Sequence, residues 1–295
     1  MSWQRKNEWY NENNMLPEWI LIAILAGLAS NLYNFFNRKA LKNNGDSTAY
    51  GWWTEFFRFG IALAIVPFDF SYKVASGTLF ILLLLGVVEV ISGYIFYKMH
   101  RYSDLSVSTI ISRTRLIWIP VIAFLFLGEK LTMIEYIGIG VLFFGLSIAV
   151  SPHKLKMDKG VQLSYISAFV VAILSIIMKL GSSLVSTSIL LAFMSVVSVI
   201  VLPFGMKNSK KRIITAFKKN PVSILLASGS NIAAMYLYVY ALRIGEVSKV
   251  TAIYQGMMIV SIVAGVTLLK ERQDVKKKII GAIVTIAGVM LLTFK

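Results

Sequence analysis

From Glu18 to its end the chain alternates apolar runs with short polar breaks, each run about 20 residues long and so about the length a helix needs to cross the hydrocarbon of a bilayer. Ten runs can be drawn: 18–37, 50–70, 77–99, 105–127, 132–150, 160–181, 186–206, 222–243, 247–269 and 276–294. This pattern predicts an all-α, polytopic membrane protein with ten transmembrane helices. A membrane barrel is excluded, because its strands would alternate apolar and polar residues with period two, and no such alternation is present. Composition agrees: 57% of the residues are hydrophobic, more than a soluble domain conceals.

Several kinds of chemistry drop out early. There is no cysteine, so disulfides, thiolate catalysis and iron–sulfur clusters are excluded. The two histidines, His100 and His153, fall in polar breaks, which argues against a histidine metal site. The net charge is +16, but Lys and Arg are gathered in short breaks, as membrane topology requires, and form no basic stripe with interleaved aromatics. Nucleic acid is therefore not an expected partner, and neither a cofactor nor a catalytic residue is expected. The first apolar run, beginning near Trp19, carries no convincing cleavage site and reads as a span rather than a signal peptide. The break "KNSKKRIITAFKKN" (207–220) reads as a short amphipathic helix on the membrane surface.

The chain also repeats itself. Residues 124–145 read "FLFLGEKLTMIEYIGIGVLFFG" and residues 266–288 read "VTLLKERQDVKKKIIGAIVTIAG". Each has an apolar run, a glutamate beside a basic residue (Glu129-Lys130, Glu271-Arg272), a short polar break, then glycines seven apart: Gly138 and Gly145, Gly281 and Gly288. Glycines at that spacing share one helix face and admit a close neighbour. The register is a shift of 142 up to Glu271, with one extra residue later. Five runs per half is an odd number, so the second half enters the membrane with opposite polarity. That is an inverted repeat, with residues 1–153 as the first half and 154–295 as the second, and such repeats place a substrate site near the midplane between the halves.

The paired "GEKLT…G…G"-like blocks, Pro120 nine residues before Glu129 and the five-plus-five layout resemble the EamA-type, ten-helix branch of the drug/metabolite transporter superfamily. The second block departs from the pattern, with Lys270 before Glu271 and Ile262 where Pro120 stands in the first. The resemblance implies a carrier of small metabolites that uses no ATP, and a central cavity built mainly by the first, third, fourth, sixth, eighth and ninth spans. It also implies a cell-membrane location.

The repeat shift serves as a ruler for the polar residues inside the spans. It pairs Glu89 with Asn231, Ser106 with Ser248, Thr109 with Thr251, Arg113 with Gln255, and Arg115 with Met257. Residues 106, 109 and 113 share a helix face. The predicted inward cluster is therefore Glu89, Asn231, Thr109, Thr251, Arg113 and Gln255, with Tyr254 beside it. Asn31 and Asn34 give the first span a polar face that lines the cavity or bonds a neighbouring helix. Arg115, about 200° around a continuous helix from Arg113, is assigned to packing or to Glu55. Glu89 and Arg113 form either a buried ion pair or a site that handles substrate or protons. Glu55 and Arg58 read as a local pair, Lys179 as a side chain snorkelling to the interface, and Glu129 and Glu271 as helix caps.

The charge bias puts both termini outside, whereas the resemblance implies that they are cytoplasmic, so orientation stays open. The leading functional expectation is a secondary transporter, proton-coupled or exchanging, for a small polar metabolite with an anionic or zwitterionic group such as an amino acid. The alternatives are a membrane-embedded enzyme and a non-transporting sensor or scaffold. The expected partners are a small-molecule substrate and the lipid bilayer, and the chain is expected to act as a monomer.

Overall fold

The computed structural model describes residues 17–41, 46–73, 75–102, 111–150, 159–260, 263 and 274–293. Eleven α-helices are described: α1 (Glu18–Leu41), α2 (Ser47–Asp69), α3 (Thr78–Tyr102), α4 (Arg115–Leu127), α5 (Met133–Val150), α6 (Lys159–Ser182), α7 (Thr187–Val201), α8 (Ser209–Lys219), α9 (Pro221–Ile244), α10 (Val247–Gly256) and α11 (Val275–Thr293). Five helical stretches are long and apolar enough to cross a membrane: Glu18–Phe36, Thr78–Ile95, Lys159–Ser182, Thr187–Gly205 and Pro221–Ile244. Shorter apolar helices cover Arg115–Leu127 and Met133–Ala149.

The surface is built for lipid. Phe80, Leu125, Phe126, Phe144 and Ile283 point outward and are exposed, while Thr54, Ser164, Ser195 and Thr285 are buried. With hydrocarbon outside, apolar burial does little to hold helices together, and small residues that let backbones approach take over. The two glycine pairs do this work. A Cβ at Gly138 would lie 3.2 Å from the Gly288 carbonyl oxygen, and one at Gly281 would lie 2.6 Å from the Gly145 carbonyl oxygen. Gly138 thus faces Gly288 and Gly145 faces Gly281, so α5 and α11 cross antiparallel.

The helix contacts come in mated pairs across the halves. Packing of α1 on α9 is matched by α6 on α3, packing of α3 on α7 by α9 on α2, and packing of α1 on α10 by α6 on α4. Contacts of α2 with α7, α4 with α10, and α5 with α11 map onto themselves when the halves are exchanged.

Helix α8 stands outside this pattern. Its Ile213 is buried against Ala49 and Met206, and its polar face carries Lys210 and Lys211. Arg212 Nε and Nη2 donate to Asp46 at 2.5 and 2.8 Å, while Asp46 Oδ1 also accepts from the Ala49 N–H and caps α2. The guanidinium holds the Asp46 carboxyl below its ordinary range. Trp53 Nε1 donates to the Ile213 carbonyl at 2.9 Å, fixing α8 against α2.

One end of the bundle is tied by side-chain caps. Gly128 closes α4 in the left-handed conformation (φ 67°), where a side chain would be strained. Glu129, next in the chain, then reaches across to the start of α10. It accepts from the Val247 N–H at 2.6 Å, the Ser248 N–H at 3.2 Å and the Ser248 hydroxyl at 2.8 Å. This is the capping role expected of Glu129; Glu271 lies outside the described residues.

Candidate functional site

Two helices are interrupted at matching places. In the fourth span, residues 111–112 are helical, Arg113 and Thr114 form a turn, and α4 restarts at Arg115. The Thr114 N–H donates to the Ile111 carbonyl at 2.9 Å and the Leu116 N–H to the Arg113 carbonyl at 2.8 Å, a tightened three-residue spacing. In the ninth span α10 stops at Gly256, and helix resumes at Met258 after the turn at Met257. Met257 is the repeat mate of Arg115, so the breaks fall within two residues of one register. Asn31 Nδ2 donates to the Met257 carbonyl at 2.6 Å, beside the Val260 N–H that bonds the same oxygen at 3.0 Å, and so ties α1 to the second break. Gly27, one turn earlier on α1, makes room: a Cβ there would lie 2.6 Å from the Tyr254 carbonyl oxygen. Non-helical backbone at membrane depth is tolerated where protein or a water-filled cavity surrounds it, and transporters use such breaks near their sites.

Around these breaks the polar side chains fall into three groups. The first joins α1, α4, α6, α9 and α10. Tyr238 and Tyr254 lie with ring centroids 4.7 Å apart at 42°. The Tyr238 hydroxyl bonds Thr251 Oγ1 at 2.8 Å and Ser175 Oγ at 3.3 Å, and the Tyr254 hydroxyl donates to Ser30 Oγ at 2.9 Å. Arg115 lies within electrostatic range of both phenols. Its Nε is buried with no hydrogen-bond partner.

The second group joins α2, α3 and α7. Arg58 is 3% exposed, and its Nη2 donates to Glu55 Oε2 at 2.5 Å and to Glu89 Oε1 at 2.7 Å. Its Nε donates to Ser195 Oγ at 2.6 Å. Two carboxylates thus share one guanidinium near the middle of three helices. The third group is Arg113 alone. It is 3% exposed, donates from Nη1 to the Leu146 carbonyl, and places Nη2 2.9 Å from Met258 Sδ.

Several expectations are corrected here. Glu89 does not pair with Arg113 but with Arg58, an interaction that sequence reading assigned only to Glu55. Arg113 is packed against backbone and a thioether, holding α4 to α5 and to the ninth span. Arg115 does not reach Glu55, whose partner is Arg58. The angular argument that separated the two arginines assumed an unbroken helix, and the turn at 113–114 removes that premise. Lys179 does not snorkel to the interface; its Nζ donates to the carbonyls of Leu242 at 2.5 Å and Gly245 at 2.9 Å and caps the end of α9.

The remaining residues divide. Thr251 and Tyr254 belong to the first group, as their neighbours show. Asn231 and Gln255 are buried, and Asn231 Oδ1 and Gln255 Nε2 are without hydrogen-bond partners. Asn31 is used in bonding the neighbouring helix break, and Asn34 is exposed. Thr109 lies outside the described residues, as does Ser106. Among the described residues no three His, Cys, Asp or Glu side chains come together to hold a metal ion. Arg58 pairs with Glu55 as the sequence reading had it, but its second partner Glu89 and its bond to Ser195 were missed. The available signal was that Arg58 sits at the same depth in its span as Glu89 does in its own.

Lipid-facing apolar helices enclosing buried charges and two interrupted helices define an integral, multi-pass membrane protein. The chain belongs to the EamA-like transporter family, whose model matches residues 17–151 and again 158–294. The double match sets one copy of the family pattern on each half, and membership places the chain among transporters of small molecules. No curated protein matches the sequence. A solved crystal structure, described only as that of a protein, superposes with a TM-score of 0.73 over 95% of this chain and 99% of its own, at 11% identity. At that identity the likeness concerns the fold alone.

Proposed function

We propose that this protein is a proton-coupled secondary transporter of a small polar metabolite carrying an anionic or zwitterionic group. In this reading it has ten transmembrane helices in two inverted repeats, 1–153 and 154–295, and works as a monomer in the cell membrane. The mated helix contacts and the antiparallel α5–α11 crossing support the inverted arrangement. Tyr254, Thr251, Asn231 and Gln255 are the proposed lining of the substrate path.

The observation that carries the coupling is the shared guanidinium. Glu55, Arg58 and Glu89 are neutral as a group only when one carboxyl holds a proton. With both ionised, a net negative charge remains in a region where an uncompensated charge costs several kcal/mol. The group spans α2 and α3 of the first half and touches Ser195 of the second, so relative movement of the halves changes its solvation. Proton uptake on one side and release on the other would then accompany each cycle.

The test uses purified protein in liposomes with an imposed pH gradient and a panel of labelled amino acids and organic acids. A carried substrate should be driven by the gradient. Glu89→Gln keeps the shape and removes a titrating group, and the expected result is transport whose rate no longer follows pH. If both Glu89→Gln and Glu55→Gln keep the wild-type pH profile, the cluster is not the coupling group.

A further inference from the structure

We infer that Arg115 and the Tyr238–Tyr254 pair form an oxyanion-binding cradle that takes the carboxylate or phosphate group of the transported solute. The inference deepens the transport reading above and rests on it for its physiological meaning.

Cations inside the described spans differ in what they bond. Arg58 has two carboxylates and a serine hydroxyl. Arg113 has a backbone carbonyl and a thioether. Lys179 has the carbonyls at the end of α9. Arg115 differs: among the described residues it makes no ion pair, and its buried Nε has no acceptor. An unsatisfied buried donor costs about 1–3 kcal/mol, and more when it is charged. A guanidinium cannot escape by losing its proton. An incoming oxyanion removes that penalty and gains a two-pronged, charge-assisted contact.

The surroundings fit such a guest. The phenol hydroxyls are already engaged, Tyr254 with Ser30 and Tyr238 with Thr251 and Ser175. The rings are therefore fixed in place rather than free to swing over the arginine. Their ring surfaces are apolar, which suits the organic body of a small acid better than a second charge. The groups come from both halves: Ser30 and Arg115 from the first, Ser175, Tyr238, Thr251 and Tyr254 from the second. Arg115 directly follows the first helix break and Tyr254 lies three residues before the second, so a shift of either half would alter the cradle.

Binding can be read without transport. Purified protein in detergent, in a Tris–chloride buffer, is titrated with benzoate, inorganic phosphate and the neutral benzamide, following its unfolding temperature. Benzoate or phosphate should raise the midpoint saturably, and whichever acts shows which oxyanion the cradle takes; benzamide should not. Arg115→Gln should weaken the response at least tenfold while eluting as a folded monodisperse species, and Arg115→Lys should retain a weaker one. Arg113→Gln should keep the anion response. If Arg115→Gln does not fold, the lysine variant decides: a response equal to wild type would overturn the inference. It is equally overturned if benzamide matches benzoate, if no anion stabilises the wild type, or if Arg115→Gln binds as tightly as wild type. Saturable, Arg115-dependent binding without any flux in liposomes would leave the cradle standing and remove the transport reading. Flux confined to neutral or cationic solutes and indifferent to Arg115→Gln would do the reverse.

Discussion

Alanine at Gly145 is the sharpest probe of how the two halves are joined. The added Cβ would meet the Thr285 backbone nitrogen, with Thr285 Oγ1 at 2.6 Å and Cα at 2.9 Å. Ordinary contacts between heavy atoms begin near 3.5 Å, so α5 and α11 must part by roughly 1 Å. Backbone stands in the way, so no side-chain rotation relieves the clash. A gap of that size forfeits a quarter to a half of each dispersion contact along the crossing. Overpacking of this kind costs about 1–3 kcal/mol. Gly140, on the same helix, is the control, because a Cβ there would meet nothing within 4 Å. Gly140→Ala should be neutral or gain up to about 1 kcal/mol from helix propensity. The propensity gain is common to both variants, so they should differ by the overpacking cost of about 1–3 kcal/mol in reversible SDS unfolding from mixed micelles, followed by far-ultraviolet circular dichroism. Gly281 faces the same crossing, 2.6 Å from Ala149 Cβ for an added Cβ. Gly145→Ala and Gly281→Ala should consequently be less than additive, since helices already parted by one accept the other more cheaply. Equal stability of Gly145→Ala and Gly140→Ala would refute the close antiparallel crossing.

Three further outcomes follow from the caps and the surface helix. Glu129→Ala removes the acceptor for three donors at the start of α10 and should lower stability by about 1–2 kcal/mol, with Glu129→Gln losing less, read from thermal unfolding. Asn31→Leu removes one of the two donors to the Met257 carbonyl, which keeps its bond from the Val260 N–H, and should cost about 0.5–1.5 kcal/mol by the same measurement. Because Arg212 holds the Asp46 carboxyl low, the pair stabilises the fold above the ordinary carboxyl value of 3.8 and stops doing so as pH falls through the lower native value. Asp46→Asn should thus be less stable than wild type near neutrality, with the difference vanishing in acid; a difference that persists there would sink the ion-pair account.

Much of this architecture was legible in the chain itself, and for identifiable reasons. Apolar runs of bilayer length mark helices because lipid leaves the backbone no other partner. The glycine pairs announced a close crossing because their spacing puts them on one face, although only the structure shows that each pair meets the other. Glu129 was readable as a cap from its place between two apolar runs, and α8 from its basic, amphipathic sequence. The site was read less well. Arg113 bonds a backbone carbonyl and a thioether rather than Glu89, and angles on an ideal helix could not separate it from Arg115, because they mean nothing across the turn at 113–114. Glu89 was matched to the wrong arginine because the repeat ruler relates equivalent positions, whereas contact depends on which helices are neighbours. Lys179 misled because a long side chain can turn inward to carbonyls as readily as outward to headgroups.

The α5–α11 crossing is one of three contacts between the halves that map onto themselves, and it is the one in which glycines bring the two backbones together. Exchanging the halves sends Gly138 against Gly288 into Gly281 against Gly145, so the seam is its own image. A carrier built from inverted halves opens to one side or the other as the halves trade shapes. Contacts away from the axis, such as α1 on α9 against α6 on α3, must lengthen on one side while shortening on the other. The glycine seam can stay unchanged through that trade. In the transport reading proposed above, it can therefore stay closely packed without opposing the motion, as the axle on which the halves would rock while the broken fourth and ninth spans bend.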